Sequence, residues 1–284
     1  MRGHTMLYDI FVAPIADYIF MQRALLSCVA ISFVGGPVGV LLVLKRMNLL
    51  GEALSHGILP GIAISALLFG VWMPGFLVGA MTSGLLIAWG SYFSAKKTVL
   101  TEDAGFGGFY LIAMALGVMI LSLKKGNFQI LHLLFGNILS VTEEALHMVF
   151  WIVVIVLVFL LISIRPIVFD AFDPVFMQVV DKRRFYYQGC FWAMVIILLV
   201  AASMTIGTLM ALGLIMLPAL TARILVTHIH KMFFVATFLS IAASYLGLIT
   251  SYHYNLPSGP AIILICGGFF MLAVSYAAIA SQKN

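Results

Sequence analysis

Charge is scarce in this chain. Only 9% of its 284 residues are Asp, Glu, Lys or Arg, 63% are hydrophobic, and the mean hydropathy is +1.16. A soluble domain carries about 25% charged residues, so the composition excludes one and leaves a polytopic membrane protein. Cysteine is equally thin. Cys28, Cys190 and Cys266 sit in apolar runs at unrelated spacings, which excludes a disulfide framework or thiolate metal site and leaves three small buried side chains. Enzymatic signatures are missing as well. There is no HExxH, no Walker lysine motif and no GxSxG; the GFGG at 105–108 lacks the setting of a dinucleotide turn, and EALSH has the wrong spacing for an intramembrane metalloprotease. Neither catalysis nor ATP binding is expected of this chain. The net charge of +5 comes from short basic loops and gives no sign of nucleic acid as a partner. No 20–50-residue repeat and no low-complexity linker interrupts the sequence.

What is present is a series of long apolar runs. A membrane-crossing helix needs roughly 20 such residues, and nine candidates fit: 24–44, 49–70, 72–93, 105–123, 145–164, 188–204, 206–222, 232–250 and 260–281. The fold class is therefore all-α, a single membrane domain over 1–284 with about nine transmembrane helices; eight or ten remain open. Residues 1–20 lack the compact apolar core and cleavage site of a signal peptide and read as an amphipathic lead-in. The sixth and seventh runs meet in a very tight turn around Thr205 to Gly207. Glycines within the runs read as close helix packing, and Pro37, Pro60 and Pro218 as places where a helix can kink or break.

Loop charges set the orientation. Lys45 and Arg46 follow the first run, Lys96 and Lys97 the third, Arg165 and Lys182-Arg183-Arg184 the fifth, Arg223 and Lys231 the seventh, and Lys283 the ninth. The loops after the second, sixth and eighth carry no Lys or Arg, and Lys124 and Lys125 after the fourth are offset by Glu143 and Glu144. Positive residues stay on the cytoplasmic side, which puts the N-terminus outside and the C-terminus inside. Two loops exceed what a hairpin needs. KKGNFQILHLLFGNILSVTEEA reads as a short helix lying at the outer surface or re-entering the bundle. The segment 165–187 is rich in charge and aromatics, and Asp173-Pro174 suits a helix start, with Asp as N-cap and Pro next. It is either a docking surface on the cytoplasmic side or a solvated connector.

One pair stands apart. In RMNLLGEALSHGILPG, residues 46–61, Glu52 and His56 lie four apart inside an otherwise apolar run. The other nine acidic residues fall in loops, tails or flanks, and no other histidine is well inside a run; His228 and His230, His132 and His147 are in loops or at their margins. An ionisable group within a membrane helix costs several kcal/mol and marks a functional site by default. The i, i+4 spacing puts both side chains on one helix face. A carboxylate with an imidazole suits a divalent transition metal, whereas calcium or magnesium would need more oxygens. The alternative is a helix end at the cytoplasmic interface, Glu52 reaching headgroup water and His56 hydrogen-bonded to a neighbouring span. In SYHYNLPSGPA at 251–261, His253 beside Asn255 is a second candidate, or simply a surface histidine. Glu52 as the ion or proton site of a stand-alone secondary transporter is the competing function; such proteins usually carry inverted repeats and more intramembrane charge.

RMNLLGEALSHGILPGIA, LHLLFGNILSV, FDPVFMQVV, GTLMALGLIMLPALTARIL and LPSGPAIIL occur here in the order of one family. On these motifs, over nearly its whole length, the chain resembles the permease family of bacterial ABC importers for zinc, manganese and iron. The resemblance implies a fold similar to that of the vitamin B12 importer permease, shortened by one N-terminal helix. It also implies a homodimer in the lipid of the inner membrane, a cytoplasmic ABC ATPase dimer, an extracytoplasmic metal-binding protein, a transported divalent ion and no permanent cofactor. The family's acid and histidine fall on Glu52 and His56, with Glu where Asp is more usual. Its second ligand region falls on His253 and Asn255, where Asn replaces an acid. Its ATPase-coupling helix falls on Asp173, Pro174, Val175, Phe176, Met177, Gln178, Val179 and Val180.

Overall fold

A computed structural model describes residues 8, 11–70, 72–99, 101–122, 138–173, 176–177 and 184–281. Every one of the nine expected spans is helical, and no strand occurs among the described residues. After a one-turn helix at Ala13–Ala16, the helices are α1 (Ile19–Leu44), α2 (Asn48–Gly57), α3 (Leu59–Phe69), α4 (Met73–Lys97), α5 (Glu102–Ser122), α6 (Glu143–Phe172), α7 (Arg184–Ile206), α8 (Thr208–Leu225), α9 (Ile229–Tyr254) and α10 (Ser258–Ser281). Among the described residues, eight are long and apolar enough to cross a membrane unaided. The second expected span, 49–70, is broken into α2 and α3. Of the amphipathic loop expected after the fourth span, 124–137 lie outside the described residues; the rest forms a 3-10 turn at Ile138–Ser140 and then opens α6 at Glu143.

The chain divides into two compact units. The first comprises residues 1–40, 135–153 and 202–284. Within it α8 packs on α9 and α10, and α9 on α10. Small polar side chains join its helices: Ser240 Oγ donates to Ser32 Oγ at 2.8 Å. Arg23 pairs with Glu143 at 3.0 Å, so this acid answers the cation of α1, a contact the loop charges did not suggest. The expected tight turn is a single residue. Gly207, between α7 and α8, has φ +92° and ψ 153°, a conformation that side chains with a Cβ rarely adopt.

The second unit comprises 41–134 and 154–201. Here α3 packs on α4 and α5, α2 on α5, and α4 on α5. Burial separates the helices by role. In α7, 78% of the most apolar stretch is buried, against 17% in α10, so α7 is an interior helix and α10 presents an apolar face to its surroundings. Leu264, Phe234 and Ile162 are large, apolar and exposed. A surface of this kind suits lipid. The three cysteines are free thiols; Cys28 and Cys266 are buried as expected, while Cys190 is half-buried.

Candidate functional site

The sequence around His56 permits a break. Pro60 has no N–H to give to the carbonyl of His56, four residues back. α2 therefore ends at Gly57, and Ile58 turns the chain into α3, with Pro60 in its first turn. Pro37 and Pro218 stay inside α1 and α8, so of the three intramembrane prolines it is Pro60 that parts two helices. Beside it, the carbonyl of Gly57 accepts a hydrogen bond from Ser83 Oγ of α4 at 2.7 Å, in a buried setting.

Close packing holds the broken segment. A Cβ on Gly61 would collide with the backbone carbonyl of Gly79, and a Cβ on Gly79 with that of Gly61. Backbone meets backbone there, so α3 and α4 approach as closely as two helices can. Glu52 and His56 both belong to α2, four residues apart, hence on one face of one helix. His56 is half-buried in the last turn before the break; the side chain of Glu52 lies outside the described set. Among the described residues, no three His, Cys, Asp or Glu side chains gather as a metal cluster.

His253 and Asn255 belong to the first unit, Glu52 and His56 to the second. His253 is in the last turn of α9, its ring edge-on to Tyr252 at 5.4 Å. Asn255 closes that helix in the left-handed region, φ 50° and ψ 40°. Outside glycine, Asn is the residue most often found there. Ser251 secures the turn: its Oγ donates to the Leu256 carbonyl at 2.6 Å, and its own carbonyl accepts the Leu256 N–H at 3.1 Å. The Asn at this position thus has a backbone reason, which the sequence reading had not seen.

The segment after the fifth span starts later than the sequence suggests. α6 runs through Arg165 and Pro166 to Phe172, and α7 begins at Arg184, so the connection shrinks from 165–187 to 173–183. Asp173 is the expected N-cap: Phe176 N–H donates to its Oδ1 at 2.9 Å, and Met177 N–H to its carbonyl at 3.2 Å. Phe176 is 55% exposed and Met177 7%. Pro174, Val175, Gln178, Val179 and Val180 lie outside the described residues.

Asp170, by sequence an acid of the loop that follows the fifth span, is a buried residue of α6. Its Oδ2 meets Lys45 Nζ at 2.5 Å and its Oδ1 meets Arg184 Nε at 2.5 Å, with Lys45, Asp170 and Arg184 side chains 7%, 7% and 20% exposed. Lys45 Nζ also sits 4.9 Å from the centre of the Phe191 ring, within cation–π range. Removing Asp170 would leave two cations without their shared counter-ion, at a cost of about 3–5 kcal/mol. The signal in the sequence was the apolar run IVF between Pro166 and Asp170, which continues the helix past the basic-proline pair.

Comparison with known proteins agrees with this architecture. A family model described as the ABC 3 transport family matches residues 17–277. The chain is 31% identical over 274 residues to the manganese import system permease protein ScaB of Streptococcus parasanguinis, covering 96% of each. It is 29% identical over 283 residues to the chelated iron transport system membrane protein YfeD of Yersinia pestis, covering 99% of this chain and 93% of that one. The solved structure of PsaBC from Streptococcus pneumoniae in complex with Fab matches with a TM-score of 0.82 at 26% identity, covering 96% of this chain and 99% of that one. The chain belongs to the ABC 3 transport family: it is a multi-pass permease subunit of an ABC transporter of the bacterial cytoplasmic membrane, and ATP hydrolysis resides on a separate subunit.

Proposed function

We propose that this permease carries a divalent transition-metal ion, manganese or iron, into the cytoplasm through a transient site to which Glu52 and His56 contribute. The observation that carries the proposal is the break at Ile58, two residues beyond His56. Ion sites in membrane transporters are typically built at discontinuous helices, where interrupted backbone turns polar groups toward a pathway. A carboxylate and an imidazole beside such a break offer one hard and one borderline ligand, a set suited to manganese, iron or zinc. The similar proteins are named for manganese import and chelated iron transport, which puts these two ahead of zinc. A site with few ligands from one chain binds weakly, and weak binding lets the ion leave on the far side. A stand-alone secondary transporter, the competing reading of Glu52, gives way to membership of an ABC family.

In this reading the N-terminus is outside and the C-terminus inside, following the basic loops. An extracytoplasmic metal-binding protein delivers the ion to a homodimer of the permease, and a cytoplasmic ATPase dimer docks on segment 173–180. The capped turn at Asp173 with Phe176 exposed supports that docking role. His253 and Asn255, at the end of α9, are secondary candidates for ion contact. Uptake of radiolabelled manganese and iron by a bacterium lacking its own importer, with this permease expressed beside its ATPase and binding protein, tests the reading. Energy-dependent uptake of either ion is expected. Uptake of neither, with the complex present in the membrane, contradicts it.

A further inference from the structure

Asp170 holds three parts of the second unit together. It lies near the end of α6, three residues before the Asp173 turn; Arg184 is the first residue of α7, at the other end of the same connection. Lys45 is the first residue beyond α1 and stands seven residues before Glu52. Between Lys45 and α2 the chain passes through Arg46, whose φ of 58° is left-handed, a region that a residue with a long side chain adopts at a cost. The turn is pinned on both sides, by Lys45 N–H to the Leu41 carbonyl at 3.0 Å and Met47 N–H to the Leu42 carbonyl at 3.0 Å. Met47, which opens α2, is itself buried.

We propose that Asp170 is a positioning residue for coupling: through Arg184 and Lys45 it ties both ends of the ATPase-facing segment to the turn that starts the Glu52 and His56 helix. The proposal rests on the transport reading above. A carboxylate shared by two cations, with its own side chain and that of Lys45 almost wholly buried, tolerates no partial separation, because each charge left unpaired away from water is costly. The three segments therefore move as one piece. A displacement of Asp170 and Arg184, which flank the connection, reaches Lys45, and through the left-handed turn at Arg46 it reaches α2. Were the set only a structural staple, its loss would lower the amount of folded permease and leave the work done per ATP unchanged.

The test uses the complete complex of permease, ATPase and binding protein in liposomes. It measures assembled complex, ATP hydrolysed and manganese taken up, for Asp170→Asn and Lys45→Met. Lys45→Met keeps the stem and the Asp170–Arg184 pair, and it cuts only the link to α2. Assembled complexes of both variants are expected to hydrolyse ATP while manganese moved per ATP falls about tenfold, an ordinary size for coupling between sites. Asp170→Glu, which keeps the charge, should recover part of that ratio. If Asp170→Asn does not assemble, Lys45→Met decides alone. A Lys45→Met complex with the parent's ratio overturns the proposal, as does a fall in uptake that merely tracks the amount of complex. A parent complex that hydrolyses ATP and moves no ion overturns the transport reading instead, and this inference with it.

Discussion

Ser83 Oγ donates a hydrogen bond to the carbonyl of Gly57, 2.7 Å away and out of reach of water. That bond gives the last carbonyl of α2, one residue past His56, a buried partner. Replacing Ser83 by Ala orphans the acceptor, and an unsatisfied buried carbonyl costs about 1–3 kcal/mol. Thermal unfolding of the purified permease in detergent should show Ser83→Ala destabilised by that order. Ser83→Thr, which keeps the hydroxyl, should stay close to the parent. Equal midpoints for Ala and the parent would mean that the bond does not support the break.

The contact of Gly61 with Gly79 makes a sharper demand. Neither backbone can yield to a Cβ, so Gly61→Ala must push α3 from α4. Overpacking of this kind typically costs about 1–3 kcal/mol, and it moves the segment beyond His56. Gly108 of α5 is the control, since a Cβ there meets nothing within 4 Å. Gly108→Ala should be neutral or slightly stabilising, as Ala favours helix over Gly by about 1 kcal/mol. Expression, unfolding midpoint and uptake of the two variants should separate cleanly; similar behaviour would deny the close approach.

Much of this architecture was legible in the sequence, for definite reasons. Long apolar runs can satisfy their backbone in a bilayer only as helices, so among the described residues the nine expected spans are helical, eight of them as single crossing helices and the second, 49–70, in two pieces. Gly207 was visible as a turn because two apolar runs met without a linker. The break at Ile58 was legible as an option and no more: three prolines sat within spans, and their sequence neighbours do not say which one parts a helix. Ser83 and Gly79, far along the chain, decide it. Asp170 was misplaced because Arg165-Pro166 looked like the end of a span, whereas the helix carries its proline and continues to Phe172. Its two cations come from residues 45 and 184, and no local pattern links them. Glu52 and His56 were found because an isolated charge in an apolar run stands out whatever the tertiary structure.

The exposed segment offers a test of sidedness. Met177 is buried and Phe176 is exposed, so a crosslinker belongs on Phe176→Cys. In intact membranes with the assembled complex, that cysteine should capture the ATPase subunit and should resist an impermeant thiol reagent added from outside. Labelling from outside, with no capture of the ATPase, would reverse the orientation drawn from the loop charges.

The residue at 255 couples backbone and ligand arguments. Its left-handed conformation favours Asn, yet Asp shares that tolerance, so Asn255→Asp should fold. Glu52→Asp shortens the carboxylate's reach by about one C–C bond, roughly 1.5 Å, while metal–oxygen distances tolerate only about 0.2 Å. Uptake by Glu52→Asp should therefore fall. Asn255→Asp alone should alter the metal-concentration dependence of uptake, since it adds a carboxylate at the end of α9. A variant indistinguishable from the parent would remove Asn255 from the candidate residues.

In the proposed mechanism His56 is a ligand of the ion in transit. In liposomes holding the purified permease with its ATPase and binding protein, ATP-driven uptake of manganese or iron should be saturable in the parent. In His56→Ala it should fall by at least about tenfold, the scale seen when the ligand environment of a metal is disturbed, with assembly and ATP hydrolysis retained. Uptake by His56→Ala equal to the parent, across the full range of metal concentrations and with the complex intact, would contradict the account.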